Sequence, residues 1–265
     1  MKVTVFTSNQ PRHIGLLEAL AEVAETVVAV QECTTVFPGQ VEDFYSRSDT
    51  MRAYFERMIA AEEHVFGRPR SAPVNVRTLA LKMGDLNRFA MADLHPLLDA
   101  DAFVVFGASY IRGPLATFLV RHRACNIHMG TSPYYRGSGT NFWALYDGRP
   151  EYVGATIHLL SRGLDSGPML FHALPAAQAV GPFVLGMRAV RSAHQGLIKH
   201  LRTGELTKLA PVEQDKALEM RYSRYEDFTD QAVAEYLARV PTPDSVREAL
   251  QRRDLRRFVR PYVGA

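Results

Sequence analysis

Residues 126–170 read NIHMGTSPYYRGSGTNFWALYDGRPEYVGATIHLLSRGLDSGPML, and this stretch governs the reading of the whole chain. The apolar run Ala124-Cys125-Asn126-Ile127-His128 has the length of one strand. Residues i and i+2 of a strand share a face, so the Asn126 amide and the His128 imidazole project together. Asp165 lies in the Gly-rich turn Gly163-Leu164-Asp165-Ser166-Gly167-Pro168, which can return a carboxylate to the end of a neighbouring strand. Acyl transfer to an amine needs a preorganised oxyanion donor, an acceptor for the amine proton and a proton for the leaving nitrogen. Asn126 suits the first task. His128 suits base or oxyanion stabiliser, and Asp165 can orient the imidazole or relay protons. No side-chain nucleophile is evident, which favours direct attack over a covalent intermediate.

Blander readings stand beside these. Asn-x-His alone also fits a capped strand end, and His158 in Thr156-Ile157-His158-Leu159 reads as a core or strand histidine. Tyr134, Tyr135 and Trp143 fit packing. A metal at His128, His158 and Asp165 would lack an HExxH or His-x-His pair, so none is expected.

Outward from this stretch, strand and helix patterns alternate. Residues 3–7, 27–31, 74–78 and 103–106 read as strands, as do 124–128, 154–160 and 169–173. Residues 12–24, 44–66, 114–122, 140–146 and 184–201 read as helices, and 85–98 as mostly helical with a break at Pro96. Strand, helix, strand within the first 31 residues opens a parallel α/β sheet. Ligand sites in such sheets lie beyond the carboxyl ends of the strands, where Asn126 and His128 fall. The first turn, Ser8-Asn9-Gln10-Pro11-Arg12-His13, lacks GxGxxG, which excludes a dinucleotide fingerprint. The 44–66 helix reads as an insertion that covers a sheet edge, or as a homodimer surface. After Pro211 the pattern weakens to two helices, 228–237 and 243–258.

The chain has 265 residues, 47% of them hydrophobic, so a substantial core is expected and disorder is not. A net charge of +3 gives no general electrostatic case for nucleic acid. Arg247, Arg252, Arg253, Arg256, Arg257 and Arg260 concentrate near the C-terminus, either as a solvated helix face or as a polyanion site. Cys33 and Cys125 form no CxxC pair, which speaks against a zinc ribbon and a disulfide framework and fits a cytoplasmic protein. The opening MKVTVFTSNQ reads as a strand and not as a signal peptide, and no apolar window has the length of a membrane span.

Four ordered blocks resemble the formyltransferase superfamily: Asn126-Ile127-His128, Pro133-Tyr134-Tyr135-Arg136-Gly137, Gly154-Ala155-Thr156-Ile157-His158 and Gly163-Leu164-Asp165-Ser166-Gly167-Pro168. A weaker likeness runs from residue 1 to about Tyr225 and includes Gln214-Asp215. The resemblance implies a Rossmann-like α/β fold: a parallel, mixed-edge sheet with helices on both faces. The expected domains are a catalytic unit over 1–210, with a helical insertion at about 34–70, and a helical extension over 211–265. It implies N10-formyltetrahydrofolate as formyl donor, Asn126, His128 and Asp165 as catalytic residues, and Tyr110, Ile111 and Gly163 as folate contacts. Where the family commonly carries bulky apolar residues after the histidine, this chain has Thr131-Ser132.

The acceptor expected by analogy of size and architecture is a primary amine on a nucleotide-linked amino sugar. Arg12, His13, Tyr135 and Arg136 are the candidates to touch it. The tRNA enzyme resembled here carries an added C-terminal β-barrel domain, whereas this tail reads as helical. Another small amine, methionyl-tRNA, hydrolysis of formyltetrahydrofolate and a non-catalytic folate-binding module stay open as alternatives. The family's hydrolases resemble this core but carry an N-terminal regulatory domain, whereas here the first strand starts at Lys2.

Overall fold

Alternating β-branched runs and amphipathic segments fold as the strand–helix pattern predicts. A computed structural model describes residues 1–36 and 48–264. In chain order the first half holds β1 (Lys2–Thr7), α1 (Pro11–Ala21), β2 (Thr26–Cys33), α2 (Asp49–Phe66), β3 (Val76–Lys82), α3 (Met91–Leu94), β4 (Ala102–Val105), α4 (Gly113–Arg121) and β5 (Cys125–Met129). The second half holds β6 (Tyr135–Gly137), α5 (Thr140–Tyr146), β7 (Ala155–Leu159), β8 (Met169–Pro175), α6 (Pro182–Arg202), β9 (Arg221–Ser223), α7 (Asp230–Ala238), α8 (Pro243–Gln251) and β10 (Tyr262–Gly264). Residues 85–98 form one short α-turn between two 3-10 turns rather than a mostly helical stretch, because Pro96 lacks an N–H for a continuing ladder.

The main sheet runs β10-β8-β7-β5-β4-β1-β2-β3. Every pairing is parallel except those that β7 makes with β5 and β8. The order reverses between β1 and β4, so a crevice opens at their carboxyl ends, the switch point where such sheets bind ligands. Val3, Val5, Phe6, Val104, Ile127 and Ile157 are buried, as expected of strands covered on both faces.

The insertion helix α2 begins at an N-cap, Ser48, whose hydroxyl accepts from Met51 N; the earlier part of the predicted helix lies outside the described residues. It packs against α1, α6 and α7 instead of covering a sheet edge. Met51, Phe55, Ala61 and Val65 bury its apolar side, and Tyr54 sits among Phe55, Phe142, Phe183 and Phe228. Segment 211–264 contains the two expected helices and, beyond them, two short strands. β9 pairs with β6, and β10 extends the main sheet beside β8. Three-residue strands carry too little periodicity to be read from sequence.

Candidate active site

β5 carries Asn126 and His128 on one face, and β7 runs antiparallel beside it with Asn126 opposite His158 and His128 opposite Thr156. This register sets the site. The Asn126 amide nitrogen is 3.0 Å from His158 Nε2 and 2.9 Å from Asp165 Oδ1. A carboxylate accepts only, so the atom facing Asp165 is the NH2. His158 Nε2 therefore accepts the second amide hydrogen, and His158 Nδ1–H donates to Leu159 O at 2.8 Å. His158 is thus the buried strand histidine expected, with both ring nitrogens engaged, and one of its two partners is Asn126.

Asp165 completes the group. Its Oδ2 lies 3.3 Å from His128 Nδ1. Burial raises the carboxyl pKa, but hydrogen bonding and charge from His128 override it and hold Asp165 well below the ordinary carboxylate range. His128 is buried, and its Nε2 has no hydrogen-bond partner among the described residues. With Nδ1–H directed at Asp165, the free Nε2 is the basic atom. Asp165 sits at φ 45°, in the left-handed region that Asp tolerates better than most residues. Gln214 secures this turn, because its Nε2 donates to Asp165 O and Gly167 O, each at 2.9 Å. A Cβ at Gly167 would lie 1.8 Å from Leu159 O, so only glycine lets the turn lie this close to β7.

The cavity in front of these residues measures about 320 Å³. Asn126, His128 and Asp165 line it, as do Tyr110, Ile111 and Gly163. One wall is the loop after β4, and it is pinned from behind. Glu32, next to last in β2, is fully buried, and its carboxylate accepts from Gly84 N at 2.8 Å, Leu86 N at 3.4 Å, Ser109 N at 2.6 Å and Ser109 Oγ at 2.9 Å. Asn87 Nδ2 donates to Tyr110 O, and the Tyr110 hydroxyl donates to Arg162 O, tying this wall to the Asp165 turn. Gly107 has φ +72°, and a Cβ there would meet His13 Nε2 at 2.4 Å.

The four residues expected to touch an acceptor divide. Arg12 lines the cavity, but its Nη1 and backbone N both bond the buried Glu62 of α2, each at 2.9 Å. The insertion thus aims Arg12 and caps α1 with a carboxylate that Gln10 does not replace. His13 lines the cavity too; burial, then Arg12 and His194, push its pKa well down, so it sits there as a neutral imidazole beneath Gly107. Tyr135 and Arg136 lie elsewhere. Tyr135 is buried with its hydroxyl 3.3 Å from Asp147 Oδ2, and Arg136 pairs with Glu219 at 2.9 Å. Both belong to β6, and neither lines the cavity. Thr131 and Ser132 are fully buried outside it too. Thr131 Oγ1 donates to Tyr152 O and so holds the loop by a hydrogen bond where an apolar residue would pack, whereas Ser132 is held through its backbone N, which donates to Thr156 Oγ1.

Glu32 escaped the sequence reading, and so did the contact of His158 with Asn126. A charged residue ending the run Val27-Val28-Ala29-Val30-Gln31 was the available signal for Glu32. For His158 it was the alternation that places it on the same strand face as Thr156.

Comparison with known proteins bears on the family and the fold. A family model described as Formyl transferase matches residues 2–198, well over half of the chain. Methionyl-tRNA formyltransferase of Anaeromyxobacter dehalogenans is 34% identical over 121 residues, which span 45% of this chain and 38% of that enzyme. That of Thermosynechococcus vestitus is 42% identical over 73 residues, 28% of this chain and 22% of the enzyme. The matched stretches thus span well under half the length of these relatives. Among solved structures, a 4-N formyltransferase from Francisella tularensis superposes with a TM-score of 0.54 at 14% identity, covering 89% of this chain and 86% of that one. A formyltransferase from Anoxybacillus kamchatkensis, in complex with UDP-4,6-dideoxy-4-formamido-L-AltNAc and tetrahydrofolate, gives 0.50 at 15%, covering 95% and 100%. Such identities speak for the fold. The chain belongs to the formyl transferase family.

Proposed function

We propose that this protein transfers a formyl group from N10-formyltetrahydrofolate to a primary amine carried by a nucleotide-linked amino sugar. The observation that carries the reaction is the convergence of Asn126, His128 and Asp165 on one cavity in a formyl transferase fold. The cavity suits a flat, partly polar donor. Phe106, Ile111 and Leu160 offer apolar wall, the loop after β4 offers backbone, and His128 Nε2 is left without a partner. The bound folate would supply the activated formyl group, with Tyr110, Ile111 and Gly163 as its contacts.

His128 takes the amine proton at Nε2 as the amine attacks the formyl carbon, Asp165 stabilises the charged imidazolium through Nδ1, and the imidazolium would return the proton to the donor's leaving nitrogen as its bond to the formyl carbon breaks. Both amide hydrogens of Asn126 are engaged at rest, one by His158 and one by Asp165. As His128 becomes charged it draws Asp165 toward itself, which releases one Asn126 N–H for the negative charge growing on the formyl oxygen. Arg12, held by Glu62, is the cavity cation left to face an anionic acceptor.

The amino-sugar reading draws on the two structural neighbours, one termed a 4-N formyltransferase and the other bound to a formamido sugar nucleotide. The partial sequence relatives favour methionyl-tRNA as a second reading of the acceptor. The test is incubation with N10-formyltetrahydrofolate and, in parallel, amino-sugar nucleotides, simple amines and methionyl-tRNA, with formyl gain read by mass spectrometry. Gain on tRNA alone would replace the sugar reading. Loss of donor without any amine would replace transfer with hydrolysis.

A further inference from the structure

A second polar cavity, of about 170 Å³, lies behind the loop that follows His128. Arg149, Arg252, Arg253 and Arg257 line it, against two carboxylates, Glu151 and Asp254. Both carboxylates are engaged: Glu151 by Arg149, and Asp254 by Arg256 through Nε and Nη2. Arg252 pairs with Glu248, and Arg257 Nη1 donates to Tyr152 Oη at 2.7 Å.

Arg253 differs from its neighbours. Its Nη1 donates to Pro175 O at 3.1 Å, while Nε and Nη2 are sheltered from water and have no partner among the described residues. Those two nitrogens share one edge of the guanidinium, which offers two parallel N–H groups to two oxygens of one anion. The chain uses this edge elsewhere: Arg221 grips Asp147 through Nε at 2.9 Å and Nη2 at 2.6 Å. A sheltered guanidinium with two unmade hydrogen bonds is costly, so an occupant that satisfies both is strongly favoured.

We propose that Arg253 is the centre of an anion site separate from the catalytic cavity, and that it takes a phosphate-class oxyanion on its Nε–Nη2 edge. Four arginines against two carboxylates leave two positive charges in excess, which matches a multiply charged anion better than a single carboxylate. Arg149, Arg252 and Arg257 supply the surrounding positive field. The site adjoins the catalytic loop through Arg257. Its partner Tyr152 accepts from Thr131 Oγ1 at the backbone carbonyl, and Tyr134 Oη donates to Arg257 O at 2.7 Å. The C-terminal arginines thus divide between solvated ones such as Arg252 and one with a sheltered, unused binding edge.

The test is calorimetry with inorganic pyrophosphate, with citrate as the carboxylate arm, on the full chain. Wild type should bind pyrophosphate saturably and with preference over citrate. R253K keeps the charge but loses the paired donors and should bind roughly tenfold more weakly. R253M should not bind, while R191M, altered on a different helix, should bind as wild type. Near-UV circular dichroism of Trp143 and melting confirm that the variants are folded. Three results would overturn the proposal: no saturable binding by wild type, equal binding by folded R253K and R253M, or complete displacement of pyrophosphate by 5-formyltetrahydrofolate, which would place it in the catalytic cavity. Citrate binding as tightly as pyrophosphate would overturn the phosphate assignment.

Discussion

Asn126 and His158 face each other across the antiparallel β5–β7 step of the central sheet, with the Asn126 amide 3.0 Å from His158 Nε2. His158 is itself fixed by its bond to Leu159 O. Substituting H158L removes one of the two bonds that hold the Asn126 amide, leaving only the one to Asp165, and should lower kcat 10–100-fold, because small misplacements of reacting groups carry penalties of that order. Folate affinity should hold, and H158Q, which can still accept from Asn126, should recover part of the rate. Single-turnover formyl transfer separates these outcomes, and an unchanged rate in H158L would remove His158 from the positioning role.

His128 Nε2 is the free basic atom of the site. H128A should therefore lower turnover by about 10²–10⁴ while binding of 5-formyltetrahydrofolate and the melting temperature stay near wild type. Wild-type-like turnover in this variant would place the base elsewhere.

Glu32 holds the cavity loop through Ser109 and the neighbouring turn through Gly84. E32Q keeps the volume but points an amide at backbone N–H groups. It should cost about 1–3 kcal/mol of stability and weaken folate-analogue binding more than kcat. Denaturant melts and calorimetry read the two effects, and loss of stability with unaltered affinity would confine Glu32 to the core.

Gln214 bridges the two carbonyls that flank the Asp165 turn. Q214A should speed hydrogen exchange across residues 161–168 and lower kcat about tenfold, since Asp165 then orients His128 only part of the time. Exchange confined to the tail would argue that other contacts hold the turn.

His172 and His194 are fully sheltered, and burial lowers their pKa values from 6.5 to about 4 and about 3. His172 also accepts from Val259 N through Nδ1, a bond that protonation breaks. Because the folded pKa values are depressed, the unfolded chain takes up protons first as pH falls below 6.5. Stability should thus be complete above 6.5 and decline down to about 4 for His172 and about 3 for His194. At pH 5 the loss should be on the order of 2 kcal/mol per histidine. Denaturant melts between pH 8 and 5 test this, and H172Q should flatten the slope.

The order of elements, the chemistry of Asn126 and His128 and the place of Asp165 in a Gly-rich turn were legible in the chain itself. These are local properties: strand alternation puts residues 126 and 128 on one face, and glycines mark the turns. Tertiary structure alone decided which distant groups meet them. His158 joins Asn126 only because β7 runs antiparallel in one particular register. Glu32 reaches Ser109 across 77 positions of sequence, and Gln214 reaches Asp165 across 49. It also left Tyr135 and Arg136 outside the cavity lining, where Asp147 and Glu219 engage them. Periodicity reports which face a residue occupies, whereas register and chain return decide what lies opposite, and those depend on the packing of the whole sheet.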